Sequence, residues 1–238
     1  MKASIYSIYF DNVSPAVVSA QRQCVEAFLS EGWVFYQILH KPEGDQFPHA
    51  HALEKCVEMN EANLTVFLDI DCVPLSRKAF PYLEDKVMQD NGQGLAGIVQ
   101  RANHLQNDKH LYVGPACMAF SKAYYKSIGS PSFIETARGD AGEELTYKWT
   151  EAAGFASRPG GHYYRYPKNL HFIWPSSCLQ PLWDLDYGFK FGFGTTYGVA
   201  GAGNQLFYHQ FNIRVSDMQS TFVSKCKEVI THQERMLA

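Results

Sequence analysis

The sequence predicts an α/β fold, and three observations carry that prediction. Short β-branched and aromatic runs alternate with segments of helical period up to residue 68. The run Leu64–Leu68 (LTVFL) is apolar throughout, as a strand buried on both faces requires. That run delivers two carboxylates, Asp69 and Asp71, at its carboxyl end.

Ile5–Phe10 reads as the first strand. Ser14 stands where a helix cap belongs, and Pro15 suits a first helical position. Val17, Val18, Gln21, Val25, Phe28 and Leu29 keep a helical period that ends by Gly32. Trp33–Leu39 is the second strand, and His40–Pro48 is a loop with two Pro and one Gly. Ala50–Glu61 is the second helix and Leu64–Leu68 the third strand. Strand–helix–strand–helix–strand implies parallel pairing with right-handed crossovers. Further on, helices are expected over Ala79–Gln89, Lys122–Ile128, Glu143–Ala153 and Phe222–Ile230. Strands are expected over Leu95–Gln100, Tyr112–Phe120 (broken at Gly114-Pro115) and Leu206–Val215. Residues 157–204 lack periodicity and read as a long functional loop. The first half is therefore α/β, grading into a mixed second half.

A chain of 238 residues favours one domain. Hydrophobic residues at 46% and charged residues at 19% exclude disorder and coiled coil as whole-chain readings. A net charge of -3 gives no long-range attraction for nucleic acid. Six cysteines without CxxC spacing argue against a zinc cage and fit a reducing compartment. The N-terminus lacks signal-peptide character, and no apolar run reaches membrane-spanning length. The expectation is a cytoplasmic protein with no transmembrane segment.

Asp69 and Asp71 lie at the carboxyl end of a buried strand, where open α/β sheets bind ligands. In an extended segment both would face one way, about 7 Å apart at Cα. Such a pair makes a hard-oxygen site suited to Mg²⁺ or Mn²⁺ bridging phosphates.

With its Asp-x-Asp pair after that strand, the chain resembles the GT-A nucleotide-sugar glycosyltransferases over most of its length. The resemblance implies a single GT-A-like domain, a mostly parallel sheet flanked by helices. It implies a nucleotide-sugar-binding half over 1–110 and an acceptor-binding half over 111–238. Tyr9, Asp11 and Asn12 match the nucleotide-base pocket. Helix His51–Glu61 precedes the motif strand, with His51 a candidate for the donor-pocket wall. The block Gly114–Phe120 matches the segment where acceptor meets donor sugar, which places Gly114 against the donor. Asp69 is implied to contact the ribose or sugar. Asp71 and the late His209 are implied to ligate Mn²⁺ or Mg²⁺ on the donor diphosphate. The implied partners are a nucleotide-diphosphate sugar and a carbohydrate or other hydroxyl acceptor.

If the transfer inverts configuration, a carboxylate must deprotonate the acceptor hydroxyl. The segment Arg138–Thr146 opens a helix and carries three acids. Asp140 is the candidate base, with Glu143 and Glu144 as alternates; a cap for the helix is the competing role of Asp140. The Gly-rich stretch 188–203 has the wrong spacing for a dinucleotide fingerprint and reads as a loop closing over the donor. Tyr163, Tyr164, Tyr166 and Trp174–Trp183 are candidates for stacking on sugar or aglycone rings. His49 and His51, two apart on a helix, do not share a face for zinc. Two further readings stand beside the transferase. Asp69-Ile-Asp71 also resembles the first motif of haloacid-dehalogenase-type phosphatases, in which Asp69 would be a nucleophile. A non-catalytic sugar-binding module is the third.

Overall fold

The computed structural model describes residues 3–101, 110–155, 166–175, 194–199, 205–211, 213–214 and 216–237. The first part of the chain runs β1 (Ala3–Tyr9), α1 (Pro15–Phe28), β2 (Trp33–Leu39), α2 (Pro48–Met59), β3 (Leu64–Leu68), β4 (Cys72–Pro74) and α3 (Ala79–Gly92). It continues with β5 (Leu95–Arg101), β6 (Leu111–Ser121), α4 (Lys122–Ser127) and α5 (Glu143–Ala152). Strands β7 (Leu170–Pro175), β8 (Thr195–Gly198) and β9 (Gln205–His209) follow, and α6 (Ser216–Leu237) comes last. Among the described residues the strands form one nine-stranded sheet, ordered β2-β1-β3-β6-β5-β7-β8-β9-β4.

The first half folds as its alternation dictates. β1 pairs in parallel with β2 and β3. Beyond β3 the sheet is mixed: β6 runs antiparallel to β3 and β5, β5 is parallel to β7, and β7, β8, β9 and β4 pair antiparallel in turn. Helices cover both faces. On one, Val17, Cys24 and Val25 of α1, Phe80 and Leu83 of α3 and Phe222 of α6 pack against Ile5, Val66 and Leu68. On the other, Leu53 and Cys56 of α2, Tyr125 of α4 and Leu145 and Trp149 of α5 pack against Tyr6, Ile8 and Phe67. Successive residues of β1 and β3 feed opposite cores, which is why both strands are apolar throughout.

Several local expectations change. Ser14 does precede Pro15 at the start of α1, but its side chain makes no capping bond. Its backbone carbonyl accepts from the Val17 and Val18 N–H groups instead. Strand β6 is not broken at Gly114-Pro115. Val113 faces Val99 and Met118 faces Gly97, so the four residues Gly114–Cys117 stand against the single residue Ile98. A bulge tolerates a residue with no N–H, which accounts for Pro115 inside a strand. The last strand ends at His209 rather than Val215. Part of the expected long loop is sheet: β7 and β8 fall within it. Thr195–Gly198 pairs on both sides and buries Tyr197, so this portion of the Gly-rich stretch is core strand and not a closing loop. The rest of that stretch, residues 188–193 and 200–203, lies outside the described residues, as do Tyr163, Tyr164, Cys178 and Trp183. The other five cysteines are free and buried.

Candidate active site

Strand β3 ends at Leu68, and the chain turns at once. The Cys72 N–H donates to the Asp69 carbonyl at 2.9 Å, closing a four-residue turn over Asp69–Cys72. The two carboxylates thus converge by a turn, not by alternation along an extended strand as the sequence suggested. After the turn, β4 pairs antiparallel with β9, and Cys72 stands opposite His209. The Gln210 N–H donates to the Asp71 carbonyl at 2.8 Å and locks that register. Residues far apart in the chain meet for this reason. His209 Nε2 lies 3.2 Å from Asp71 Oδ1 and 3.9 Å from Asp69 Oδ2.

One ligand atom from each of Asp69, Asp71 and His209 falls within 4.8 Å of the others. Asp71 and His209 are buried, while the Asp69 side chain is 30% exposed. Burial pushes the Asp69 carboxyl above its ordinary value, and Asp71 adds to the push; His49, His209 and Arg214 oppose it. Burial alone would lower the His209 imidazole, but Asp71 and then Asp69 raise it overall. Both shifts follow from the crowding of two carboxylates and one imidazole. Two carboxylate oxygens and an imidazole nitrogen form a donor set that fits Mn²⁺ or Mg²⁺, and a divalent cation would neutralise the same crowding.

The cluster lines a cavity of about 390 Å³. Tyr9, Phe10, Asn12 and Val13 line it from the end of β1, and Phe211, Ile213 and Arg214 from the segment after β9. His49 and Gln100 complete the wall. The cavity is large enough for a nucleotide-sized ligand, and its wall carries both apolar and charged groups.

The structure therefore brings together Tyr9, Asn12, Asp69, Asp71 and His209. Asp11 is exposed on the turn and does not line the cavity. Gly114 is one layer back. A Cβ there would overlap the Gln100 side chain, which lies flat over it and reaches the cavity wall. His51 turns away to Asp45, its Nδ1 2.8 Å from the carboxylate, and that contact holds Asp45 below its ordinary value. His49 takes the place considered for His51, its Nε2 3.7 Å from Asp69 Oδ1.

The acidic segment is held apart from the cavity wall. Gly142, with φ of 76°, occupies the N-cap of α5, so Asp140 does not cap it. Asp140 Oδ1 accepts from the Ala141 N–H, and the Tyr112 hydroxyl stands 3.4 Å from its Oδ2. Burial drives the Tyr112 hydroxyl well above its usual value, reinforced by Asp140 and Glu143 and, more weakly, Asp69. Glu143 is fully buried: its Oε1 lies 2.6 Å from His110 Nδ1, and its Oε2 accepts from the Asp140 N–H at 2.9 Å. Glu144 is clasped by Arg138, whose guanidinium also reaches Glu151 at 2.8 Å and lies 4.4 Å above the Tyr147 ring. Tyr166 and Trp174 belong to an aromatic row through Phe172, with ring centroids 5.0 and 5.8 Å apart, and neither lines the cavity.

Sequence reasoning missed Gln21, Gln100 and His49. Gln21 is completely buried mid-helix in α1. A polar residue on an otherwise apolar helix face was the available signal.

No family model matches the chain, and no curated protein matches its sequence. Among solved structures it is similar to a mannosyltransferase from Pyrobaculum calidifontis in complex with GDP-Man and Mn²⁺, at 9% identity and a TM-score of 0.47. That match covers 71% of this chain and 55% of the mannosyltransferase, so this chain spans about half of that protein's length. A Drosophila β-1,4-galactosyltransferase 7 mutant bound to manganese, UDP-Gal and xylobiose is similar at 12% identity, covering 71% and 69% of the two chains with a TM-score of 0.41. A CMP:2-keto-3-deoxy-manno-octonic acid synthetase complexed with CTP is similar at 12% identity, covering 65% and 87% with a TM-score of 0.44. These likenesses concern the fold. Among the described residues no helix is long and apolar enough to cross a membrane.

Proposed function

We propose that this chain is a metal-dependent glycosyltransferase that moves a sugar from a nucleoside-diphosphate donor to an acceptor hydroxyl. The observation that carries the proposal is the convergence of Asp69, Asp71 and His209 in the wall of a nucleotide-sized cavity. Those three residues would hold Mn²⁺ or Mg²⁺. When bound, such an ion supplies Lewis-acid stabilisation to the leaving diphosphate.

The protein's own residues divide the remaining work. Tyr9, Phe10, Asn12 and Val13 offer a mixed aromatic, apolar and amide wall for the nucleoside. Arg214 places a cation, and His49 an imidazole, on the cavity wall with Asp69, where phosphate oxygens would lie. Gln100, backed by Gly114, faces the cavity with an amide suited to sugar hydroxyls. If the transfer inverts configuration, an acceptor seated beside Tyr112, outside the donor cavity, would give its proton to Asp140, whose N–H is held by Glu143.

A thermal-shift screen of UDP, GDP, dTDP and CMP, each with Mn²⁺ or with chelator, tests the proposal. One nucleotide should raise the melting temperature only when metal is present. Equal stabilisation in chelator would remove the metal from the assignment. Turnover of a simple phosphomonoester that is lost in Asp69→Asn would replace the transferase with a phosphatase.

A further inference from the structure

We propose that Gln219, in the first turn of α6, is a positioning residue for the donor, on the reading of the cavity as a nucleotide site: it clasps two walls of that cavity together. Those walls come from segments far apart in the chain. Tyr9, Phe10, Asn12 and Val13 line the cavity from the end of β1, and Phe211, Ile213 and Arg214 line it after β9. Each segment runs directly into a helix, the first into α1 at Pro15 and the second into α6 at Ser216. The Gln219 side chain spans from one to the other. Its Oε1 accepts from the Ser14 N–H at 3.2 Å, and its Nε2 donates to the Asn12 carbonyl at 3.5 Å.

The two bonds grip the peptide groups on either side of Val13, which is buried and lines the cavity. Both go to backbone, so they fix the path of the chain and not one rotamer. The Val13 N–H closes the same turn on the Phe10 carbonyl at 3.1 Å. The packing of the helices lets a residue of α6 do this. Val17, Cys24 and Phe28 of α1 share one core layer with Phe222, Cys226 and Val229 of α6. The two helices run in the same direction. Gln219 meets Ser14 where both begin, and Gln233 Nε2 donates to the Ala27 carbonyl at 2.9 Å near the end of α1.

A nucleoside entering between these walls finds them already ordered at their bound spacing. Without the clasp, the Asn12–Ser14 segment would have to be ordered by the ligand, and that cost would come out of the affinity. The carboxylate turn is framed by other residues. The Asp69 N–H donates to the Ala116 carbonyl, and the Asp71 carbonyl accepts from the Gln210 N–H. Gln219 therefore acts on the nucleotide and not on the metal.

Calorimetric titration of wild type, Gln219→Met and Gln233→Met tests this, first with Mn²⁺ alone and then with UDP, GDP, dTDP and CMP in Mn²⁺. Methionine keeps the side-chain length and the helix propensity and removes the hydrogen bonds. Gln219→Met should weaken nucleotide binding about 3- to 10-fold, the worth of one neutral hydrogen bond, and leave Mn²⁺ affinity unchanged. Gln233→Met removes a bond at the other end of the same helix pair and should change neither. Equal nucleotide affinity in wild type and Gln219→Met overturns the proposal alone. So does an equal loss in Gln233→Met, which would trace the effect to helix docking, or a parallel loss of Mn²⁺ affinity in Gln219→Met. Wild type that binds none of the four nucleotides overturns the transferase reading and this proposal together.

Discussion

Gln21 donates from Nε2 to the backbone carbonyl of Asp69 at 2.7 Å, and the same nitrogen reaches the Cys72 carbonyl at 3.1 Å. Its own Oε1 accepts from the Gln37 amide at 2.9 Å. The carboxylate turn is therefore pinned from helix α1 as well as from the sheet. The Asp69 N–H donates to Ala116 in the β6 bulge, and the Asp71 carbonyl accepts from Gln210. A site that must bind charge benefits from such a frame, because the carboxylates cannot relax apart when a ligand leaves.

Gln21→Leu should therefore act twice. It keeps the side-chain bulk but takes the Gln21 donor from the Cys72 carbonyl and one of two partners from the Asp69 carbonyl and the Gln37 amide, at about 1–3 kcal/mol of stability. The loosened turn should weaken metal-dependent nucleotide binding about 10-fold or more. Chemical denaturation without metal reads the first effect, and a Mn²⁺ titration at fixed nucleotide reads the second. Unchanged metal affinity in a destabilised variant would reduce Gln21 to a packing residue.

Asp71 and Asp69 should separate in their effects. Asp71 is nearer to His209 and more buried, so Asp71→Ala should abolish the metal-dependent thermal shift. Asp69→Asn keeps an oxygen donor and relieves the crowding that raises the Asp69 carboxyl. It should retain weaker metal binding and lose most transfer activity. Calorimetric titration with Mn²⁺ compares them, and equal losses from both would contradict this ordering.

Much of the frame was legible because it is local. LTVFL followed by two carboxylates announces a buried strand feeding a ligand edge, and β2 and β3 have the bounds that their composition sets. The turn that converges Asp69 and Asp71 was less visible, since a two-residue spacing also suits an extended strand. His209 became a partner of Asp71 through the pairing of β4 with β9, a long-range register that a three-residue strand such as Cys72–Pro74 cannot advertise. His51 was the histidine considered for the donor pocket, and helix spacing does not say which of His49 and His51 reaches it. Asp45, two residues before the Phe47 N–H it accepts, captures His51 by a local contact.

Gly114→Ala should report on the donor side of the cavity through Gln100. A methyl there overlaps the Gln100 side chain, whose far end can swing into the cavity. The variant should fold, lose about 1–3 kcal/mol, and bind nucleotide more weakly. Adding Gln100→Ala should return the stability. A double variant no more stable than Gly114→Ala would show that the methyl acts on the β6 backbone instead.

Asp140 and Glu143 should also come apart. Glu143→Gln puts an amide NH₂ in place of one of the two buried oxygens that meet His110 Nδ1 and the Asp140 N–H, and should cost about 1–3 kcal/mol, seen as a lower melting temperature. Asp140→Asn should leave that temperature and metal-dependent nucleotide binding nearly intact while transfer to the acceptor falls at least 100-fold. Full transfer activity in Asp140→Asn would take the base role away from it.

The Arg138 cluster should make part of the stability depend on acid. Burial works to raise the Glu151 carboxyl, but the bonds from Arg138 and Lys148 prevail and hold it below its ordinary value. A depressed carboxyl contributes stability that is complete above the unfolded value of about 4.3. That contribution disappears as pH falls through the lower folded value. Because Glu151 is 32% exposed, solvent screening limits the contribution to about 0.2–1 kcal/mol. Urea unfolding of wild type and Glu151→Gln across pH should show that gap at neutrality and its closure in acid. A gap that persists at the lowest pH would mean that Glu151 stabilises α5 by packing rather than by charge.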